Sequence, residues 1–247
     1  MRIVVTGGGT GGHLFPGIAL AGGLQQRVSD CRVLFIGTRR QLDRSTLARY
    51  DFEQASIECM GLKGMGLRGR LRSIIRLPLA VMEARAILKT FKPQLVFGVG
   101  GYVTGPVLLS ARLLGIATAI HEQNSVPGLA NRMLSRVVDR VFLSLPCRYR
   151  FPARKTVMAG NPVRAEIIEA GTVSRDIGAE ENIRILVLGG SQGAHRINML
   201  VTEAAPDIIR GFRGRVSFMH QTGSADLAEV RARYRQAGAD AEGGGFF

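Results

Sequence analysis

Arg2-Ile3-Val4-Val5-Thr6-Gly7-Gly8-Gly9-Thr10-Gly11-Gly12-His13 is the stretch on which the fold turns. A β-branched run passes directly into glycines, and apolar residues at helical spacing follow over 14–26. This reads as strand, tight turn and helix. Glycine lets the backbone turn sharply and lie close to a ligand, and the helix start offers unpaired N–H groups at the positive end of its dipole. In an open α/β sheet such turns stand at the carboxyl ends of the strands, where ligands bind.

The same alternation continues outward. Strands are expected at 2–6, 32–37, 53–59, 94–98, 117–121, 138–144 and 155–159, with amphipathic helices over 14–26, 70–91, 103–114 and 127–136. Near-continuous apolar strands alternating with helices predict a parallel sheet covered on both faces. Residues 170–182 are polar and aperiodic and read as a linker. The pattern then restarts with a strand at 183–188, a turn at 189–193, a helix at 194–204, a strand at 216–220 and a helix at 224–236. The expected organisation is two Rossmann-like domains facing a cleft, 1–163 and 164–247. The second is expected to be incomplete, a pair of strands with two helices, because the residues after Gln236 match no further element.

Bulk properties narrow the class. The net charge of +14 calls for an anionic partner, which could be nucleic acid, an acidic membrane surface or a phosphorylated substrate. The lack of tryptophan and the 6% aromatic content argue against a base-stacking nucleic-acid binder. Cys31, Cys59 and Cys147 form no CxxC pair, and the four histidines lack metal-ligand spacing, so no metal and no cofactor are expected. Half of the positive excess lies in 61–92, where Lys63, Arg68, Arg70, Arg72, Arg76, Arg85, Lys89 and Lys92 face one acid, Glu83 (8 − 1 = +7). Leu67, Leu71, Ile74, Ile75, Leu77, Leu79 and Met82 are interleaved with them. A basic, apolar, helical stretch suits an anionic membrane surface; a solvated amphipathic helix is the alternative.

Two further glycine turns follow strands, Gly98-Val99-Gly100-Gly101-Tyr102-Val103-Thr104-Gly105-Pro106 and Gly189-Gly190-Ser191-Gln192-Gly193-Ala194. Three such turns point to more than one phosphate-bearing ligand. Gly7, Gly9 and Gly12 also fit the dinucleotide fingerprint, but its acidic partner is missing: the second strand ends Gly37-Thr38-Arg39-Arg40. Those arginines leave an NADP-dependent oxidoreductase as a rival reading. The fifth strand runs into His121-Glu122-Gln123-Asn124, four hydrogen-bonding side chains in succession, and a later one into Gly160-Asn161-Pro162-Val163-Arg164.

Taken in this order, Gly-Gly-Thr-Gly-Gly-His-x-Phe-Pro-Gly, Gly-Gly-Tyr-Val-Thr-Gly-Pro, His-Glu-Gln-Asn, Gly-Asn-Pro-Val-Arg and Gly-Gly-Ser-Gln-Gly-Ala resemble the MurG family. These are glycosyltransferases of family 28, of the GT-B type with two Rossmann-like domains. The resemblance implies inverting transfer of N-acetylglucosamine from UDP-N-acetylglucosamine to the 4-hydroxyl of undecaprenyl-pyrophosphoryl-N-acetylmuramyl-pentapeptide, in peptidoglycan synthesis. It implies a peripheral enzyme on the cytoplasmic face of the bacterial inner membrane, with no nucleic-acid partner. It assigns acceptor and membrane binding to the first domain, and UDP-sugar binding to the second. By position, Thr10, Gly11, Gly12, Asn124, Arg164 and Ser191 would contact the nucleotide sugar. Gly101, Tyr102 and Thr104 would contact the acceptor. His13 is the first candidate for the general base and Glu122 the second. In this family the second domain continues beyond the motifs found here, so a truncated, inactive relative is also an expectation to be tested.

Overall fold

The computed structural model describes the chain except residues 9–10, 39–46, 49, 51, 60–66, 173–181, 191–192 and 245–247; at 11–12 and 67–75 it describes the backbone alone. Contacts divide the chain into Met1–Thr172 and Val173–Phe247.

In the first unit the order is β1 (Arg2–Gly7), α1 (Gly11–Arg27), β2 (Arg32–Gly37), β3 (Glu53–Ser56), α2 (Leu67–Phe91), β4 (Leu95–Gly100), α3 (Thr104–Leu113), β5 (Ala117–Glu122), α4 (Leu129–Leu134), β6 (Arg140–Leu143), β7 (Thr156–Met158) and α5 (Ala165–Gly171). The strands pair in the order β3-β2-β1-β4-β5-β6-β7, and every pairing is parallel. The order reverses between β1 and β4. This switch point opens a crevice at the carboxyl ends of the two strands.

Strand alternation sorts the core into two layers. Ile3, Val5, Val33, Phe35, Phe97 and Val99 point to one face and pack with Leu14, Ile18 and Ala21 of α1. Val4, Leu34, Ile36, Val96 and Ile120 point to the other, against Ala80, Ala84 and Leu88 of α2 and Val107, Leu108 and Ala111 of α3. The doubly wound arrangement read from the apolar runs is the one observed.

Three local differences have physical causes. Helix α1 starts at Gly11 rather than residue 14, so Gly11, Gly12 and His13 form its first turn. Glycine is a poor helix former, which hides the start in the sequence. Close packing explains a glycine further along: a Cβ at Gly17 would lie 3.0 Å from Val5 Cγ1. Residues 165–171, at the edge of the expected linker, form α5. By contacts α5 goes with the first unit, whereas the sequence-based boundary falls just ahead of it, at 163/164.

The third difference is in the second unit. It contains β8 (Ile183–Leu188), α6 (His195–Gly211), β9 (Val216–Gln221), α7 (Leu227–Gln236) and β10 (Asp240–Gly244). The expectation of two strands is corrected: β10 pairs in parallel with β9, giving a sheet ordered β10-β9-β8. Strand propensity disfavours Asp-Ala-Glu-Gly-Gly, but small residues let α7 lie close. Arg231 Nη2 donates to Gly243 O at 2.8 Å, and Leu227 Cδ1 would be 3.6 Å from a Cβ there. Phe218, Val216, Val230, Tyr234 and Ala205 form this unit's core. Leu186 and Leu188 of β8 are exposed.

Candidate active site

The first two glycine turns interlock across the switch point. A Cβ at Gly7 would stand 2.3 Å from Val99 Cγ2, and one at Gly101 (φ +89°) 2.5 Å from Gly8 O. Gly100 has φ +104°, a region that side chains rarely enter. A Cβ there would stand 2.8 Å from His13 Nδ1, so this glycine makes room for the imidazole. Thr104 is buried, and its hydroxyl is shared between Gly100 O at 2.8 Å and Thr6 O at 3.3 Å. That hydroxyl is occupied in tying the two turns together; Gly101 and Tyr102, the other acceptor candidates, are half-buried in the same turn.

His13 is half-buried at the start of α1. Its Nδ1 lies 3.1 Å from Val99 O and 3.3 Å from Gln123 Oε1. Gln123 Nε2 donates to Val99 O at 2.9 Å and lies 3.1 Å from His121 Nδ1. His121 is buried; its Nε2 lies 3.1 Å from Gly160 O and 3.0 Å from Ser144 Oγ. Burial pulls the His121 pKa below its ordinary value of 6.5, against opposing effects of the Gly160 hydrogen bond and the Glu122 charge. Four of the stretches singled out in the sequence thus meet in one hydrogen-bonded chain. Sequence reasoning singled out the His-Glu-Gln-Asn run but not Gln123 and His121 as the members that reach His13. The signal was their two-residue spacing at a strand end, which sends both side chains to one face.

Glu122 is 1% exposed and both its oxygens are engaged. Oε1 accepts from Asn124 N at 3.0 Å and Asn124 Nδ2 at 3.1 Å; Oε2 accepts from Gly128 N at 3.1 Å and Asn131 Nδ2 at 3.0 Å. The carboxylate therefore organises the loop 122–128, and it offers no free oxygen to a substrate. It also holds the amide of Asn124, whose residue is otherwise exposed.

Arg164 is half-buried beside α1: its guanidinium lies 4.4 Å from the centre of the Phe15 ring, and Nη1 donates to Tyr50 OH at 3.3 Å. It stands on the wall of an open groove of about 590 Å³ between the second half of α1 and residues 162–168. Gly11 and Gly12 supply backbone N–H groups at the start of α1. Thr10 and Ser191, the other two nucleotide-sugar candidates, lie outside the described residues. Among the described residues there is no cluster of three or more potential metal ligands, and no helix is long and apolar enough to cross a membrane.

Comparison with known proteins agrees with the motifs. The model of the glycosyltransferase family 28 N-terminal domain matches residues 3–143, and that of the family's C-terminal domain matches 184–246. The chain is 48% identical over 240 residues to the UDP-N-acetylglucosamine–N-acetylmuramyl-(pentapeptide) pyrophosphoryl-undecaprenol N-acetylglucosamine transferase of Desulfotalea psychrophila, covering 97% of this chain and 64% of that one. It is 42% identical to the transferase of the same name from Geobacter sulfurreducens, covering 98% and 67%. The chain thus spans about two thirds of the length of these curated relatives. The crystal structure of Acinetobacter baumannii MurG superposes with a TM-score of 0.68 at 28% identity, covering all of this chain and 66% of that one. A UDP-GlcNAc 2-epimerase from Neisseria meningitidis, bound to UDP-GlcNAc, gives 0.64 at 14% identity over 98% and 71% of the two chains, a likeness of fold alone. With both family domains matched in order, this chain belongs to glycosyltransferase family 28.

Proposed function

We propose that this chain carries the acceptor-side domain and the beginning of the donor-side domain of an inverting N-acetylglucosaminyltransferase. The donor is UDP-N-acetylglucosamine and the acceptor the 4-hydroxyl of an undecaprenyl-pyrophosphoryl-N-acetylmuramyl-pentapeptide. The observation that carries the reading is His13 at the β1/β4 switch point: Nδ1 is engaged, and Nε2 takes no hydrogen bond from any described residue. In the proposed step the acceptor hydroxyl oxygen bonds to the anomeric carbon, its proton passes to His13 Nε2, and UDP leaves with the electrons of the broken bond. Gly11 and Gly12 at the start of α1, Asn124, Arg164 and Ser191 are assigned to the nucleotide sugar, and Gly101 and Tyr102 to the acceptor. Cationic and N–H groups favour the departing diphosphate without requiring a metal.

The same reading gives the first unit a membrane-facing surface. Leu79 and Met82 of α2 and Leu113 of α3 are 60% or more exposed, and Leu109 is 40% exposed. Ser110 Oγ donates to Val81 O at 2.7 Å, which ties α3 to α2. Lys89, Lys92 and Arg112 are exposed and Arg85 half-exposed, while Glu83, the one acid of 61–92, accepts from Glu58 N at 2.9 Å. Exposed apolar residues interleaved with basic ones along α2 suit an anionic lipid surface on which a lipid-linked acceptor is presented. Of the basic stretch, residues 61–66 and the side chains of Arg68, Arg70 and Arg72 lie outside the described residues.

The test is a hybrid in which residues 1–244 replace the matching segment of the Desulfotalea psychrophila relative. It is expected to transfer N-acetylglucosamine to a lipid-linked muramyl acceptor, and His13→Ala is expected to reduce transfer at least about a hundredfold, the low end for an acid–base group. A folded hybrid without transfer, or a folded His13→Ala hybrid of near-parental rate, refutes the proposal.

A further inference from the structure

Two carbonyl oxygens fix every proton in the chain that joins His13 to His121. Val99 O can only accept, so the Gln123 atom 2.9 Å away is the amide nitrogen, and Oε1 is the atom facing His13. Gly160 O can only accept as well. His121 Nε2, 3.1 Å from it, therefore carries the proton in the neutral ring, and Nδ1 is left as the acceptor. The group 3.1 Å from that Nδ1 must donate, and it is again the Gln123 amide nitrogen. Two independent constraints thus give the same amide orientation. The reversed amide would set oxygen against oxygen at Val99 and leave a lone pair facing a lone pair at His121.

The consequence at His13 follows. Its Nδ1 faces two groups that only accept, Val99 O and Gln123 Oε1. The neutral ring therefore bears its proton on Nδ1, in the opposite tautomer to His121, because the partner of one ring nitrogen decides the state of the other. Gln123 acts at both ends, accepting from His13 and holding Val99 O in place with its own N–H.

We propose that Gln123 is a positioning residue: its amide holds His13 in the Nδ1–H tautomer, so that Nε2 is the basic atom turned to the substrate, with His121 as the fixed acceptor behind it. The proposal rests on the reading of His13 as the base, but its test does not depend on activity. Side-chain ¹⁵N spectra of this 247-residue chain are recorded at about pH 8.5, roughly two units above the ordinary histidine value. Loss of one signal in His13→Gln and of another in His121→Gln assigns the two rings. His13 is expected as Nδ1–H and His121 as Nε2–H in the same spectrum. In Gln123→Leu the Nδ1–H signal of His13 is expected to lose at least half its intensity to the Nε2–H form. His13 found as Nε2–H in the parent chain overturns the proposal outright, even if the Gln123→Leu chain does not fold. Full retention of Nδ1–H in a folded Gln123→Leu chain overturns it too, since Val99 O alone would then suffice. Failure of the hybrid to transfer sugar would leave these spectra unchanged, so the two readings fail separately.

Discussion

Replacing Glu122 by glutamine separates a structural carboxylate from a catalytic one. The change is nearly isosteric, so it creates no cavity. It converts one oxygen into an NH2 group, and each oxygen now accepts two hydrogen bonds. Whichever oxygen is lost, two donors meet a donor: the part-buried pair from Asn124 on one side, or the Gly128 N–H and the buried Asn131 amide on the other. Hydrogen bonds to a charged group are worth about 1.5–3 kcal/mol each, and the stranded donors add desolvation. The expected loss is about 3–6 kcal/mol, the lower half being favoured because neighbouring bonds are not additive. With a urea slope of about 2 kcal/mol per M, the midpoint should fall by roughly 1.5–3 M. The assay is urea unfolding read by hydrogen exchange of peptides from 117–143, which keeps the second unit's transition out of the measurement. A midpoint within about 0.3 M of the parent, or less than about 0.6 kcal/mol at that slope, would refute the four-bond account. It would return Glu122 to the list of candidate bases.

Other outcomes follow from the same geometry. Gly100→Ala meets both a positive φ and the His13 ring at 2.8 Å, and should destabilise by about 1–3 kcal/mol. Gly105→Ala, in α3 with nothing within 4 Å, should be neutral or stabilise by up to about 1 kcal/mol; thermal unfolding that ranks the two alike would contradict this. His121 and His220 are both held below their ordinary value of 6.5 by burial. The unfolded chain then binds more protons, so stability should be constant above about pH 6.5 and fall as pH drops below it. A flat stability profile between pH 7 and pH 5 in His121→Gln and parent alike would show that this ring contributes nothing. Leu79→Glu with Leu113→Glu should weaken binding to anionic vesicles at least tenfold at low salt, and co-sedimentation equal to the parent's would remove these two leucines from the membrane surface.

The sequence determined the first unit's architecture because its signals there are local. Apolar strands such as 32–37 and 94–98, each bounded by glycine, alternate with helices, and short-range periodicity needs no tertiary information. It also placed the glycine turns of the first unit at the carboxyl ends of β1 and β4, since a strand that runs into glycines before a helix is a local signal. β10 was not legible: Asp-Ala-Glu-Gly-Gly has poor strand propensity, and only pairing with β9 and the close approach of α7 make it a strand. The site divides in the same way. His13 could be named from its place after a glycine turn, but Glu122 and Gln123 are adjacent and equally polar in the sequence, and spacing alone gives each the same claim to the chemistry. Strand alternation turns Glu122 into its own loop and Gln123 back toward β4 and α1. The partners that define their roles, Asn131 for one and Val99 and His13 for the other, lie 9, 24 and 110 residues away. Which of two neighbouring polar residues holds a loop, and which holds a histidine, is fixed by contacts that exist only once the strands have paired.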